Sequence, residues 1–300
     1  MKTHVVTGVA LGAVLVFSSA ASPASAAPTP DLSGAVYAGI GNQLTRYANG
    51  EWSTLAEIGA TPQFAASPDG TKAAWVTENG ELQVRQGGKT TTLVSGLQGG
   101  TPCLTPVWSA DSSRVAYPAQ GDAIMSAKAD ASAPPRKLGT SPGVCHLAWS
   151  ANGRYLAGYN TQGDGLYRLN AKTGKTVPAK GVKYINHVQS LSPDGSKAVV
   201  SFPDSPETLG DGTWPASFKP VVLDIETGKR QRPEVKGKQL GAFYLPDGRL
   251  VVRTAGTRGQ SGTGDPAHNS LVVLDSEGQP VQRIAEPTKA RNRALLQVLP

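Results

Sequence analysis

One motif recurs five times along this 300-residue chain, and its spacing constrains the fold more than any other feature. The segments around Ser67-Pro68-Asp69-Gly70, Ser109-Ala110-Asp111, Ser150-Ala151-Asn152-Gly153, Ser192-Pro193-Asp194-Gly195 and Leu245-Pro246-Asp247-Gly248 share one pattern. Each places a short apolar run before a polar turn and a second apolar run after it. The anchor residues 67, 109, 150, 192 and 245 are separated by 42, 41, 42 and 53 positions. Self-similarity at a fixed period near 42 indicates a repeat architecture. The turn chemistry is explicable: Pro presets φ, Asp bonds its own backbone, and Gly takes the position that needs φ > 0. Two strands flanking such a turn form a hairpin. A second turn in several units, such as Asn170 to Lys175 and Asp224 to Lys229, adds another hairpin. With 35 Gly and 23 Pro, long helices are disfavoured. Four antiparallel strands per unit cannot cover both their faces alone, whereas a radial arrangement covers them.

The expected fold is all-β: a six-bladed β-propeller over 35–300, with four-stranded antiparallel blades. The C-terminal stretch ends in Leu-Pro, like the residues before the fifth turn, and 33–37 resembles the residues after a turn. The first blade is therefore expected to be closed by the C-terminal strand. Two connections are long, 203–220 and 255–270, against five residues at the equivalent 160–164.

The repeated Ser-Pro-Asp-Gly boxes resemble the propeller repeats of the TolB family and are similar to the N-terminal propellers of prolyl-oligopeptidase-type enzymes. The resemblance covers about 35–300 and implies a propeller. Neither TolB's N-terminal domain nor a hydrolase domain is expected here, so no activity is carried over.

Residues 1–26 read as a signal peptide: Lys2, then an apolar run from Val5 to Phe17, then Ala24-Ser25-Ala26 as cleavage site. The run is shorter than the roughly 20 residues a bilayer span needs. Residues 27–34 follow as a short leader. The expectation is a secreted monomer without a membrane span. The formal net charge is +7, of which Lys2 contributes one. Such a surplus favours anionic partners outside the cell; nucleic acid is not expected as one.

Cys103 and Cys145 lie one repeat apart, so they should meet where adjacent inner strands begin. In an exported chain a disulfide is the natural reading, with a reactive thiol pair as the competing one. Catalytic motifs dissolve on inspection. Gly139-Thr140-Ser141-Pro142-Gly143 matches a nucleophile elbow, but Pro142 has no N–H for an oxyanion hole. Thr173-Gly174-Lys175-Thr176 lacks the upstream glycine of a phosphate loop. The box aspartates Asp69, Asp111, Asp194 and Asp247 read as turn caps.

Both long connections join second to third strands, on the face opposite the box turns. That face also receives Cys103, Cys145, His146 and His187. The candidate binding residues are His146, His187, Asp204, Glu207, Asp211, Trp214, Phe218 and His268. The two histidines are open to either reading, buried hydrogen-bonders or ligands, and so is Trp214. No metal or cofactor is expected. The function expected is a non-catalytic binding module for a protein, peptide or cell-envelope glycan. The alternative is a lactonase- or lyase-like propeller enzyme with a histidine general base at the channel mouth.

Overall fold

The computed structural model describes Met1 and residues 31–39, 43–160, 165–205, 212–256 and 268–300. The expected signal peptide, Glu207 and Asp211 lie outside the described residues. Six four-stranded antiparallel sheets form the blades. Blade 1 holds β1 (Gly34–Ala38), β2 (Gln43–Ala48), β3 (Glu51–Glu57) and, innermost, β24 (Ala294–Leu299). Blade 2 runs β4 (Phe64–Ala66), β5 (Lys72–Val76), β6 (Leu82–Gln86) and β7 (Lys89–Val94). Blade 3 runs β8 (Val107–Trp108), β9 (Arg114–Ala119), β10 (Ala123–Lys128) and β11 (Arg136–Thr140). Blade 4 runs β12 (Cys145–Trp149), β13 (Tyr155–Asn160), β14 (Gly165–Asn170) and β15 (Thr176–Pro178). Blade 5 runs β16 (His187–Leu191), β17 (Lys197–Ser201), β18 (Val221–Asp224) and β19 (Arg230–Gln231). Blade 6 runs β20 (Gln239–Tyr244), β21 (Leu250–Thr254), β22 (Ser270–Leu274) and β23 (Pro280–Ala285).

Each core lies between two blades. Val115 and Tyr117 of blade 3 pack with Val76 and Val84 of blade 2, and Val199 of blade 5 packs with Val252 and Val272 of blade 6. Every neighbouring pair shares such a cluster, including blades 6 and 1, so the ring is closed. Strand β24 closes it. It pairs antiparallel with β1 in the register Ala35↔Val298 and Tyr37↔Leu295. Its Leu295 and Val298 enter the core shared with blade 6, while Leu296 and Leu299 enter the core shared with blade 2. Burying each such side chain is worth about 1.5–3 kcal/mol, so one strand ties together three blades.

The box turns repeat one hydrogen-bond set. Lys72 N–H donates to Ser67 Oγ at 2.9 Å, and Gly70 N–H donates to the Ser67 carbonyl at 2.9 Å. Gly70 has φ +65°, the left-handed conformation that favours glycine there. Arg114 and Lys197 repeat the first bond to Ser109 and Ser192 at 3.0 and 2.9 Å. Tyr155 repeats it to Ser150 at 3.0 Å, with Asn152 in the aspartate position. Burial pushes the Asp69 pKa up, but hydrogen bonds from Lys72, Ser67 and Thr71 outweigh it and hold the carboxyl well below the usual range. The Ser109 hydroxyl lowers Asp111 in the same way. These carboxylates are turn caps whose charge is locally satisfied.

Candidate functional site: a plugged channel mouth

Inner strands run from the insertion face towards the box turns, so their first residues ring one end of the central channel. Four of these strands are irregular, including β24, where Leu296 is the extra residue opposite β1. The β12 register shifts between Cys145 and Ala148, β16 between Val188 and Ser190, and β20 between Gln239 and Gly241. Bulges re-aim side chains at the rims of closed β structures. Here they bring His146 and His187 together, with ring centroids 4.5 Å apart in an edge-on arrangement.

His146 is held with φ +45°, a left-handed conformation that costs a non-glycine residue roughly 1–2 kcal/mol. Its N–H donates to the Cys103 carbonyl at 2.8 Å, and Cys103 is disulfide-bonded to Cys145. Its Nδ1 lies 3.4 Å from Thr105 Oγ1, and its ring stacks on Tyr159 at 6.0 Å. The bond network around the disulfide thus fixes this residue's unusual backbone.

The insertion after β17 covers the pair. Gly212 rests on Cys103 so closely, at φ +81°, that a Cβ there would overlap the half-cystine. Trp214 then inserts edge-on against both imidazoles, 5.3 Å from His146 and 4.8 Å from His187. Phe218 packs edge-on against His187 at 5.3 Å, and its N–H donates to the Leu240 carbonyl at 3.1 Å. The arm 212–220 therefore crosses the mouth from the start of blade 3 to blade 6. Beneath it a cavity of about 110 Å³ extends down the channel to the box residues Pro68, Ala110, Ala151 and Pro246. Gln189 and Trp214 line its upper end.

Both imidazoles are fully buried. Burial, and then the neighbouring His146, push the His187 pKa well below its ordinary value, although its bond to Gln189 opposes this. His187 Nε2 lies 3.1 Å from Gln189 Oε1. The remaining atoms His187 Nδ1, Gln189 Nε2 and Trp214 Nε1 are buried without a protein hydrogen-bond partner. Each such group costs about 1–3 kcal/mol unless water or a ligand satisfies it.

The other candidates lie apart. Asp204 is exposed at the root of the same insertion, 4.0 Å from Lys219 Nζ. His268 ends the second insertion and bonds through Nδ1 to the Glu286 carbonyl at 3.1 Å and to Thr288 Oγ1 at 3.3 Å. Among the described residues no group of three or more His, Cys, Asp or Glu is arranged to hold a metal ion. No helix among them is long and apolar enough to cross a membrane.

Sequence reasoning missed one constellation. Arg253 and Glu286 form a fully buried ion pair at 2.8 Å. Tyr37 donates to Glu286 at 2.8 Å, and burial, followed by that carboxylate, raises the Tyr37 pKa far above its usual value. Arg253 also donates to the carbonyls of Arg293 and Ala290 at 2.8 Å and of Ala216 at 3.4 Å. It thereby pins the insertion arm to the segment that leads into β24. The available signal was an arginine inside the apolar run Leu250–Thr254.

Against known proteins, no family model matches the sequence and no curated protein matches it. Solved structures do. TolB from Acinetobacter baumannii superposes with a TM-score of 0.53 at 17% identity, over 89% of this chain and 66% of that one. A chain of the nidogen/laminin complex superposes with a TM-score of 0.52 at 13% identity, over 89% of this chain and 97% of that one. The chain is a six-bladed β-propeller. At these identities the likeness is one of fold, and the propeller spans under two thirds of the TolB chain's length.

Proposed function

We propose that this propeller is an exported, non-catalytic binding module that takes a protein, peptide or cell-envelope glycan on its insertion face. The observation that carries the reading is the anchored arm 212–220. Gly212 on Cys103, Trp214 in the mouth and Phe218 beside Gly241 fix its course, while Thr213, Ala216, Ser217 and Lys219 point outward and are exposed. A loop pinned from beneath and exposed above presents a preorganised surface, which lowers the ordering cost of binding. The N-terminal pattern and the Cys103–Cys145 disulfide support export. The nidogen propeller comes from a complex with laminin, which supports a protein ligand.

The enzyme alternative requires His146 or His187 to reach a substrate as general base. Both lie beneath Trp214, so that reading needs the insertion to lift. The binding reading is tested by capture from the producing cell's envelope fraction. Full-length protein is compared with a variant in which 203–220 and 255–270 are replaced by short turns. Loss of the captured ligand on deletion is expected. Undiminished capture by a folded deletion variant contradicts the reading.

A further inference from the structure

The charge of this protein is concentrated on one sector. Residues 172–183 and 224–238 hold Lys172, Lys175, Lys180, Lys183, Lys229, Arg230, Arg232, Lys236 and Lys238 against only Asp224, Glu226 and Glu234. That surplus of six is most of the formal net charge of the entire chain, +7. All nine basic residues are exposed, and none is in an ion pair among the described residues. Glu226 is already engaged by Arg168 at 3.1 Å.

The ring makes the two stretches one surface. They flank the outer strands β15 and β19 of neighbouring blades. Lys180 N–H donates to the Ile225 carbonyl at 3.0 Å, and Gly228 packs against the Lys180 carbonyl. Lysines on edge strands also deter edge-to-edge pairing. That role alone does not account for the clustering, because β15 carries no basic residue and β19 only Arg230, so the other eight lie in the turns and connections beside these strands. At the patch, Tyr184 is exposed with φ +53°, a strained setting for a bulky side chain.

We propose that the outer edges of blades 4 and 5 form a second binding surface, for a linear polyol-phosphate polymer of the cell-envelope type. Ammonium groups spread along a convex rim match successive phosphodiesters as point charges. Strand-type nucleic-acid sites instead combine such charges with several open stacking aromatics, whereas here Phe202 is already covered by Arg230 at 4.0 Å and only Tyr184 is exposed. A membrane-surface site needs a set of apolar side chains to insert, and the patch offers none beyond that tyrosine. The surface is separate from the insertion face and does not depend on the reading given for it.

The test uses the full chain and purified poly(glycerol phosphate), measured at 50 and 200 mM salt. The variant Lys180→Gln/Lys183→Gln/Lys229→Gln/Arg232→Gln should bind at least tenfold more weakly at 50 mM. Its log–log salt slope should flatten by about 3, because each neutralised phosphate contributes roughly 0.7 to that slope. The control Lys89→Gln/Arg136→Gln/Lys137→Gln/Arg283→Gln removes the same charge from exposed positions elsewhere and should bind nearly as the parent does. A single Lys183→Gln substitution, with a smaller loss in the same direction, serves if the quadruple variant misfolds. Equal weakening by variant and control overturns the proposal. So does tighter binding to phosphatidylglycerol vesicles or to DNA than to the polymer.

Discussion

The two ends of the channel solve the same problem in opposite ways. At the box face the turns of blades 2 to 5 satisfy themselves: a serine hydroxyl, an aspartate or asparagine and a few backbone N–H groups close the same local circuit four times. At the mouth the side chains that close it have no counterparts around the ring. A left-handed histidine, a disulfide, an inserted tryptophan and a buried ion pair are single features brought together from different blades. Local circuits are tolerant because each failure stays in one blade. The mouth is a cooperative assembly, so one failure there reaches the insertion arm, the His pair and β24 together.

The largest expected effect comes from Arg253. Arg253→Met leaves Glu286 buried without its cation and should cost about 3–5 kcal/mol in urea unfolding. Arg253→Met/Glu286→Leu should recover most of that loss. If the double variant is as unstable as the single, the pair is not the clamp described. Next, Cys103→Ser/Cys145→Ser opens a 42-residue loop and should cost about 4 kcal/mol in the chain-entropy description. It should also raise the accessibility of Trp214 to a fluorescence quencher, which a turn-face substitution would leave unchanged.

Acid sharpens the contrast, because the two ends fail in different ranges. His187 has a folded pKa well below its unfolded value near 6.5. Below pH 6.5 the unfolded chain takes up a proton that the folded one refuses. Stability should fall by about 1.4 kcal/mol per pH unit from that group, with no loss above pH 7. His187→Gln should remove this slope. Asp69, Asp111 and Asp194 have depressed folded pKa values, so their contribution is present above about pH 4 and lost only as pH falls through that range. Asp69→Ala should be the smallest effect, about 1 kcal/mol at pH 7, consistent with the loss of one modest local circuit. Denaturation midpoints between pH 8 and 3 resolve the two phases.

What repeats was legible in the sequence. The period near 42, the box turns and the closure by β24 follow from residues that occur several times or from chain ends that complement each other. The pairing of Cys103 with Cys145 was legible for the same reason, since one repeat of separation places Cys145 at the first residue of β12 and Cys103 just ahead of β8. The meeting of His146 and His187 was legible as a position, but not their cover. Whether a loop projects outward or folds back depends on Gly212 finding Cys103 and Trp214 finding a gap between imidazoles, contacts that no periodicity announces. The Arg253–Glu286 pair was hidden because neither residue has a counterpart in other blades. The basic sector was hidden differently: its two stretches are distant in sequence and become one surface only when blades 4 and 5 are set side by side.

The insertion arm covers the mouth, and the burial it provides keeps His187 neutral. The direct measurement is the NMR titration of the His187 imidazole, assigned by comparison with His187→Gln, from pH 8 down to the onset of unfolding. His187 should not titrate before the protein begins to unfold, and should titrate near pH 6.5 when 203–220 is replaced by a short turn. An ordinary titration of His187 in the folded, intact protein contradicts this.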